Sequence, residues 1–61
     1  MPIVTVKMLE GRTDEQKKAL VDEVTKAVTK TTGAPDERVS VVIEEMSPAN
    51  FGIAGVRASD K

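Results

Sequence analysis

The stretch Ile3-Val4-Thr5-Val6-Lys7-Met8-Leu9-Glu10-Gly11-Arg12-Thr13-Asp14-Glu15-Gln16 changes its periodicity halfway, and that change decides the fold. Residues Ile3 to Met8 are rich in β-branched side chains and alternate. Val4, Val6 and Met8 fall on one face and Ile3, Thr5 and Lys7 on the other, which predicts a strand. Glu10-Gly11-Arg12 then turns the chain. Thr13-Asp14-Glu15-Gln16 reads as a capping box, in which the Thr hydroxyl and the Gln amide satisfy each other's orphan backbone donors. A helix is expected from Asp14.

Working outward, Leu20, Val24, Ala27, Val28 and Thr31 follow the spacing of one buried helical stripe, which Val21 widens. Asp14 and Glu15 in the first turn and Lys26 and Lys30 near the end suit the helix dipole. Gly33 supplies a left-handed cap and Pro35 forbids continuation, so the helix is expected to end near Thr32. Val39-Ser40-Val41-Val42-Ile43-Glu44 reads as a second strand, with Val39, Val41 and Ile43 on one side and Val42 and Met46 on the other. From Ser47 to Arg57, turn residues flank short apolar pieces, which predicts a small hairpin or arm. The fold class is therefore α+β: a β-α-β unit with parallel strands in a right-handed crossover, plus a short C-terminal hairpin. One helix covers one face of a two-stranded sheet, yet both faces carry apolar side chains. The uncovered face is expected to meet another subunit.

The composition agrees. The chain has 61 residues, is 39% hydrophobic and contains no cysteine, histidine, tryptophan or tyrosine and a single phenylalanine. It is read as one domain, residues 1–61. Thiolate or imidazole metal sites, His-dependent nucleophilic machinery and disulfides are excluded. A core this small supplies only ~3–5 kcal/mol, so oligomerisation is the expected reinforcement. Nine basic residues balance ten acidic ones, interspersed, which leaves no footprint for nucleic acid. Apolar runs are far shorter than a membrane span of ~20 residues, and no leader segment precedes the first strand, so a soluble, cytoplasmic protein is expected.

Few groups remain for chemistry. Glu44 and Glu45 are adjacent on a strand and point to opposite faces, so they read as solvated or inter-subunit charges. Lys17, Lys18, Asp22, Glu23 and Lys26 read as a solvated helix face, with Asp22 and Lys26 at i, i+4 spacing. Phe51-Gly52-Ile53-Ala54-Gly55 lacks the order of a dinucleotide motif. Two features stand out. Removal of Met1 would leave Pro2 as a secondary amine, and α-amino groups titrate at roughly 7.7–8.0, within reach of neutrality when buried beside a cation. Arg12, between strand and helix, can hold a carboxylate bidentately. Each also has a plain reading, as a strand-leading residue and a surface loop charge.

Pro2-Ile3-Val4, Leu9-Glu10-Gly11-Arg12-Thr13-Asp14-Glu15-Gln16-Lys17, Ile43-Glu44-Glu45-Met46 and Phe51-Gly52-Ile53-Ala54-Gly55 resemble the short-chain branch of the 4-oxalocrotonate tautomerase family over essentially the whole chain. The resemblance implies β-α-β protomers, dimers formed through their sheets and homo-hexamers built as trimers of dimers, with pockets assembled from several chains. It also implies an isomerase of aromatic compound catabolism that needs no cofactor or metal. Its amino-terminal proline would move a proton between an oxygen or carbon of a 2-hydroxydienoate and a carbon of the conjugated 2-oxo acid.

Carried over, Pro2 is the general base and Arg12 binds a substrate carboxylate. Phe51 forms part of the apolar wall, and the backbone near Leu9 helps hold the substrate oxygen. The chain departs from the family in one respect: Ser40 stands where the pattern has a second arginine. Turnover of the dicarboxylate is therefore expected to be weak, since loss of one electrostatic stabiliser costs ~3–4 kcal/mol. Arg38, two residues earlier, would share Ser40's strand face at a displacement of ~6.6 Å and is one candidate for compensation; Arg57 of the arm is another. The alternatives to a tautomerase are a hydratase or dehalogenase of unsaturated acids, which would use a charged proline amine, and a non-catalytic subunit of an oligomer.

Overall fold

A computed structural model describes residues 1–61. Strand β1 spans Ile3–Leu9, helix α1 Asp14–Thr32 and strand β2 Ser40–Met46, and a two-residue-per-strand hairpin follows, β3 (Gly52–Ile53) and β4 (Val56–Arg57). Strands β1 and β2 pair in parallel, in a register that sets Ile3 against Ser40 and Leu9 against Met46.

The helix starts and stops where local chemistry dictates. Gln16 N–H donates to Thr13 Oγ1 at 3.1 Å and Thr13 N–H to Gln16 Oε1 at 2.9 Å, closing the capping box. Gly33 adopts φ 81° and its N–H donates to Thr29 O, ending the helix at Thr32. The buried stripe is narrower than the spacing suggests. Leu20, Val24 and Val28 are half-buried, but Val21, Ala27 and Thr31 are exposed. A sheet of two strands, ~5 Å apart, is wide enough to cover one row of helix side chains and no more.

Strand β2 begins one residue later than its apolar pattern indicates. Asp36–Arg38 form a 3-10 turn in which Arg38 N–H donates to Pro35 O and Val39 N–H to Asp36 O. These local bonds withdraw Arg38 from the strand, so it does not share Ser40's strand face as the sequence pattern implies.

Sheet alternation separates two surfaces. Val4, Val6, Val41 and Ile43 are half-buried on the helix side, joined there by Glu45, whose Oε1 lies 3.1 Å from Lys17 Nζ of α1. Ile3, Thr5, Lys7, Leu9, Val42 and Glu44 occupy the opposite, open face, where Ile3 is 66% and Val42 43% exposed. Elsewhere on the helix, Asp22 and Lys26 form the expected i, i+4 pair at 3.1 Å. Asp22 and then Glu23 hold the Lys26 ammonium above its ordinary 10.5.

The protomer has no core of its own: none of its 61 residues is buried. Its surface of 4718 Å² exceeds by roughly 900 Å² what a compact monomer of this mass exposes. Its radius of gyration is 14.4 Å, where a compact chain of this length has about 10.5 Å. The surplus is close to the ~800 Å² per partner of a standard interface. No helix is long and apolar enough to cross a membrane.

Candidate active site

The strand β1 sorts the candidate residues into two groups. Pro2 heads it, and Ser40 N–H donates to Pro2 O at 3.0 Å, so a ladder-type bond pins the proline to the start of β2. Arg38 lies just before that bond, in the 3-10 turn. This end of the sheet holds Pro2, Ser40 and Arg38.

Leu9, Arg12 and Phe51 gather at the other end. Glu10 N–H donates to Met46 O at 2.9 Å and carries the parallel pairing past Leu9. Gly11 then takes φ 125°, a backbone conformation that side chains disfavour, and delivers Arg12 to the loop just ahead of the helix cap. Two shallow grooves meet at Met8. One, of about 220 Å³, is lined by Met8, Arg12, Gln16, Lys17 and Leu20. The second, of about 440 Å³, is lined by Lys7, Met8, Leu9, Met46 and Phe51. Phe51 is 40% exposed and forms the apolar wall of the second groove with Leu9 and the two methionines.

The electrostatics of this end are simple. Arg12 takes part in none of the ion pairs of the chain, so its guanidinium is free. Lys7 is the ladder partner of Glu44. Arg57 is committed: its Nε lies 3.0 Å and its Nη2 3.4 Å from the two oxygens of Asp60. Sequence reading gives Gln16 only a capping role and Lys17 only a solvated one, whereas both line the groove beside Arg12. Lys17 is only 30% exposed, because Glu45 reaches it from β2.

The two groups do not meet within one protomer. From Pro2 to Leu9 the extended chain covers roughly 23 Å, far beyond the reach of an arginine side chain. A pocket using both Pro2 and Arg12 has to draw them from different chains. The arrangement offers a free cation beside an apolar groove at one sheet end, and a pinned proline at the other. A carboxylate bearing an apolar or conjugated body fits the first of these.

Comparison with known proteins places the chain in a family. The family described as tautomerase enzyme matches residues 2–61. A Bacillus cereus protein named a probable tautomerase is 64% identical over 61 residues, covering 100% of both chains. The crystal structure of YwhB, a homologue of 4-oxalocrotonate tautomerase, superposes with a TM-score of 0.96 at 60% identity over 98% of each chain. A heterohexameric 4-oxalocrotonate tautomerase from Chloroflexus aurantiacus gives a TM-score of 0.94 at 28% identity, over 98% of this chain and 97% of that one. The β-α-β layout with its parallel pair and antiparallel C-terminal hairpin is the fold of these tautomerases, and the chain belongs to the tautomerase enzyme family, an isomerase among the homologues of 4-oxalocrotonate tautomerase.

Proposed function

We propose that the protein is a cofactor-independent tautomerase of 2-hydroxydienoates and related enols of 2-oxo acids, working as a homo-oligomer, built as a hexamer from three dimers. The observation that carries this reading is Pro2: it heads β1 and its carbonyl is fixed by Ser40 N–H, so that removal of Met1 leaves a secondary amine on an anchored residue. That amine takes the proton from the enol hydroxyl, and the electron pair moves through the conjugated system. The carbon terminus is then protonated by the same nitrogen or by water, according to its position. Arg12 of a neighbouring chain binds the carboxylate, and the apolar wall around Phe51 excludes water and strengthens that ion pair. The backbone near Leu9 supports the substrate oxygen.

Ser40 sets the specificity in this reading. It offers a hydroxyl but no charge at the proline end, so an enol with one carboxylate is the better substrate and a dicarboxylate the poorer. The test is ketonisation of enol phenylpyruvate and of 2-hydroxymuconate, followed by ultraviolet absorbance, with wild type, Pro2→Ala and Arg12→Ala. Pro2→Ala should lower kcat and Arg12→Ala should raise KM. Equal rates for all three proteins would overturn the proposal.

A further inference from the structure

Glu44 and Glu45 are neighbours in the chain but have different surroundings. Glu44 lies on the open face opposite Lys7. Glu45 turns to the helix side, where its carboxylate binds the Lys17 ammonium at 3.1 Å. This pair joins residues 28 apart in sequence, and its side chains, 30% and 32% exposed, are the most sheltered of any ion pair in the chain. It is also the one that ties the first turn of α1 to β2.

Its position beside the site gives the pair a second consequence. Lys17 lines the same groove as Arg12, and Glu45 is the ladder partner of Met8, which lines that groove too. Glu45 does not line the groove itself, but its 3.1 Å bond to Lys17 makes it the carboxylate that this chain pairs with a groove residue, and chemically it is the same kind of ligand a guanidinium seeks in a substrate. With Lys17 in place, the lysine and the glutamate cancel, and the groove keeps the single positive charge of Arg12. Without Lys17, the released Glu45 carboxylate would have the Arg12 guanidinium as the remaining cation among the groove's lining residues.

We infer that Lys17 is a positioning residue that keeps Glu45 occupied, so that the Arg12 guanidinium stays open to a substrate carboxylate. The inference rests on the reading of Arg12 as the carboxylate-binding group. It acts on binding and not on the proton transfer, so its signature lies in KM. Competition from one half-exposed ion pair is worth about a three- to fivefold change.

The experiment compares wild type, Lys17→Met, Glu45→Gln, the double variant Lys17→Met/Glu45→Gln and Arg12→Ala on enol phenylpyruvate, with native mass and circular dichroism confirming the assembled fold of each. Lys17→Met should raise KM about three- to fivefold with kcat within about twofold of wild type. The double variant should return KM to the wild-type range, because removing the competing carboxylate makes the guard unnecessary. A merely structural ion pair would behave differently: both single variants would lose stability alike, and the double variant would not recover KM. An unchanged KM in Lys17→Met, or a double variant as impaired as that single one, overturns the inference while a raised KM in Arg12→Ala leaves the reading of Arg12 intact. A wild-type KM in Arg12→Ala overturns both.

Discussion

If Pro2 and Arg12 of one pocket come from different chains, two impaired variants should repair each other. Along β1 the two residues are separated by an extended run whose Pro2-to-Leu9 part alone covers roughly 23 Å, so no rotamer brings them together in one protomer. Pro2→Ala supplies chains with an intact arginine, and Arg12→Ala supplies chains with an intact proline. Unfolded together in equal amounts and refolded, they should form mixed oligomers. Each pocket then has about one chance in two of an intact proline and, independently, about one in two of an intact arginine, so about a quarter of the pockets are wild type. The assay is the ketonisation rate of enol phenylpyruvate per total subunit, at substrate well below the wild-type KM, where a lowered kcat and a raised KM both depress the rate, with native mass spectrometry confirming that mixed oligomers have formed. Activity should rise from the near-zero sum of the separate variants to about a quarter of the wild-type value. Verified mixed oligomers with no gain would refute the composite pocket.

Further predictions follow from the packing and the caps. Val42→Asp places a charge in the middle of the open sheet face and forfeits about 1.5–3 kcal/mol of apolar burial per subunit, so sedimentation should show loss of the oligomer. Because the isolated protomer buries no residue, far-UV ellipticity should fall with it. Thr13→Ala removes one side of the reciprocal cap and should cost about 1 kcal/mol, read as a lower urea midpoint at an unchanged slope. Ser40→Arg should raise kcat/KM on 2-hydroxymuconate by at least about tenfold relative to enol phenylpyruvate, as part of the ~100–1,000-fold a charge stabiliser contributes; equal effects on the two substrates would show that Ser40 does not set the preference.

The elements that local chemistry controls were legible in the sequence. Thr13, Gln16 and Gly33 mark both helix ends because capping depends on residues within one turn. The sheet faces followed from alternation, and the register placed apolar Val4 and Val6 against Val41 and Ile43. What failed depended on competition between local and longer-range bonds. The run Arg38-Val39-Ser40-Val41 alternates as a strand would, but the 3-10 turn after Pro35 claims Arg38 first. Ala54 was equally hidden. It takes φ 54° beside Gly55 at φ 85°, a turn with two left-handed residues that alanine does not advertise.

The candidate site was legible as residue types and not as geometry. Pro2 and Arg12 stood out in the sequence and Phe51 entered with the family resemblance, but only the strand between Pro2 and the other two shows that they divide between the two ends of the sheet. The Lys17–Glu45 pair lay beyond any local rule. Its partners are 28 residues apart and meet because the helix packs on the face to which Glu45, and not Glu44, points. The stripe of α1 was over-read for the same reason: spacing reports which residues align, while the width of the sheet determines how many are covered.

If a free proline nitrogen performs the proton transfer, the state of the N-terminus decides whether the enzyme works. One preparation retaining Met1, verified by intact mass, is assayed on enol phenylpyruvate before and after a methionine aminopeptidase removes that residue. With Met1 attached, the Pro2 nitrogen is an amide without basicity, so little activity is expected at first and then a rise of at least about a hundredfold on processing, the scale of a general base. Equal rates before and after removal of Met1 would contradict it.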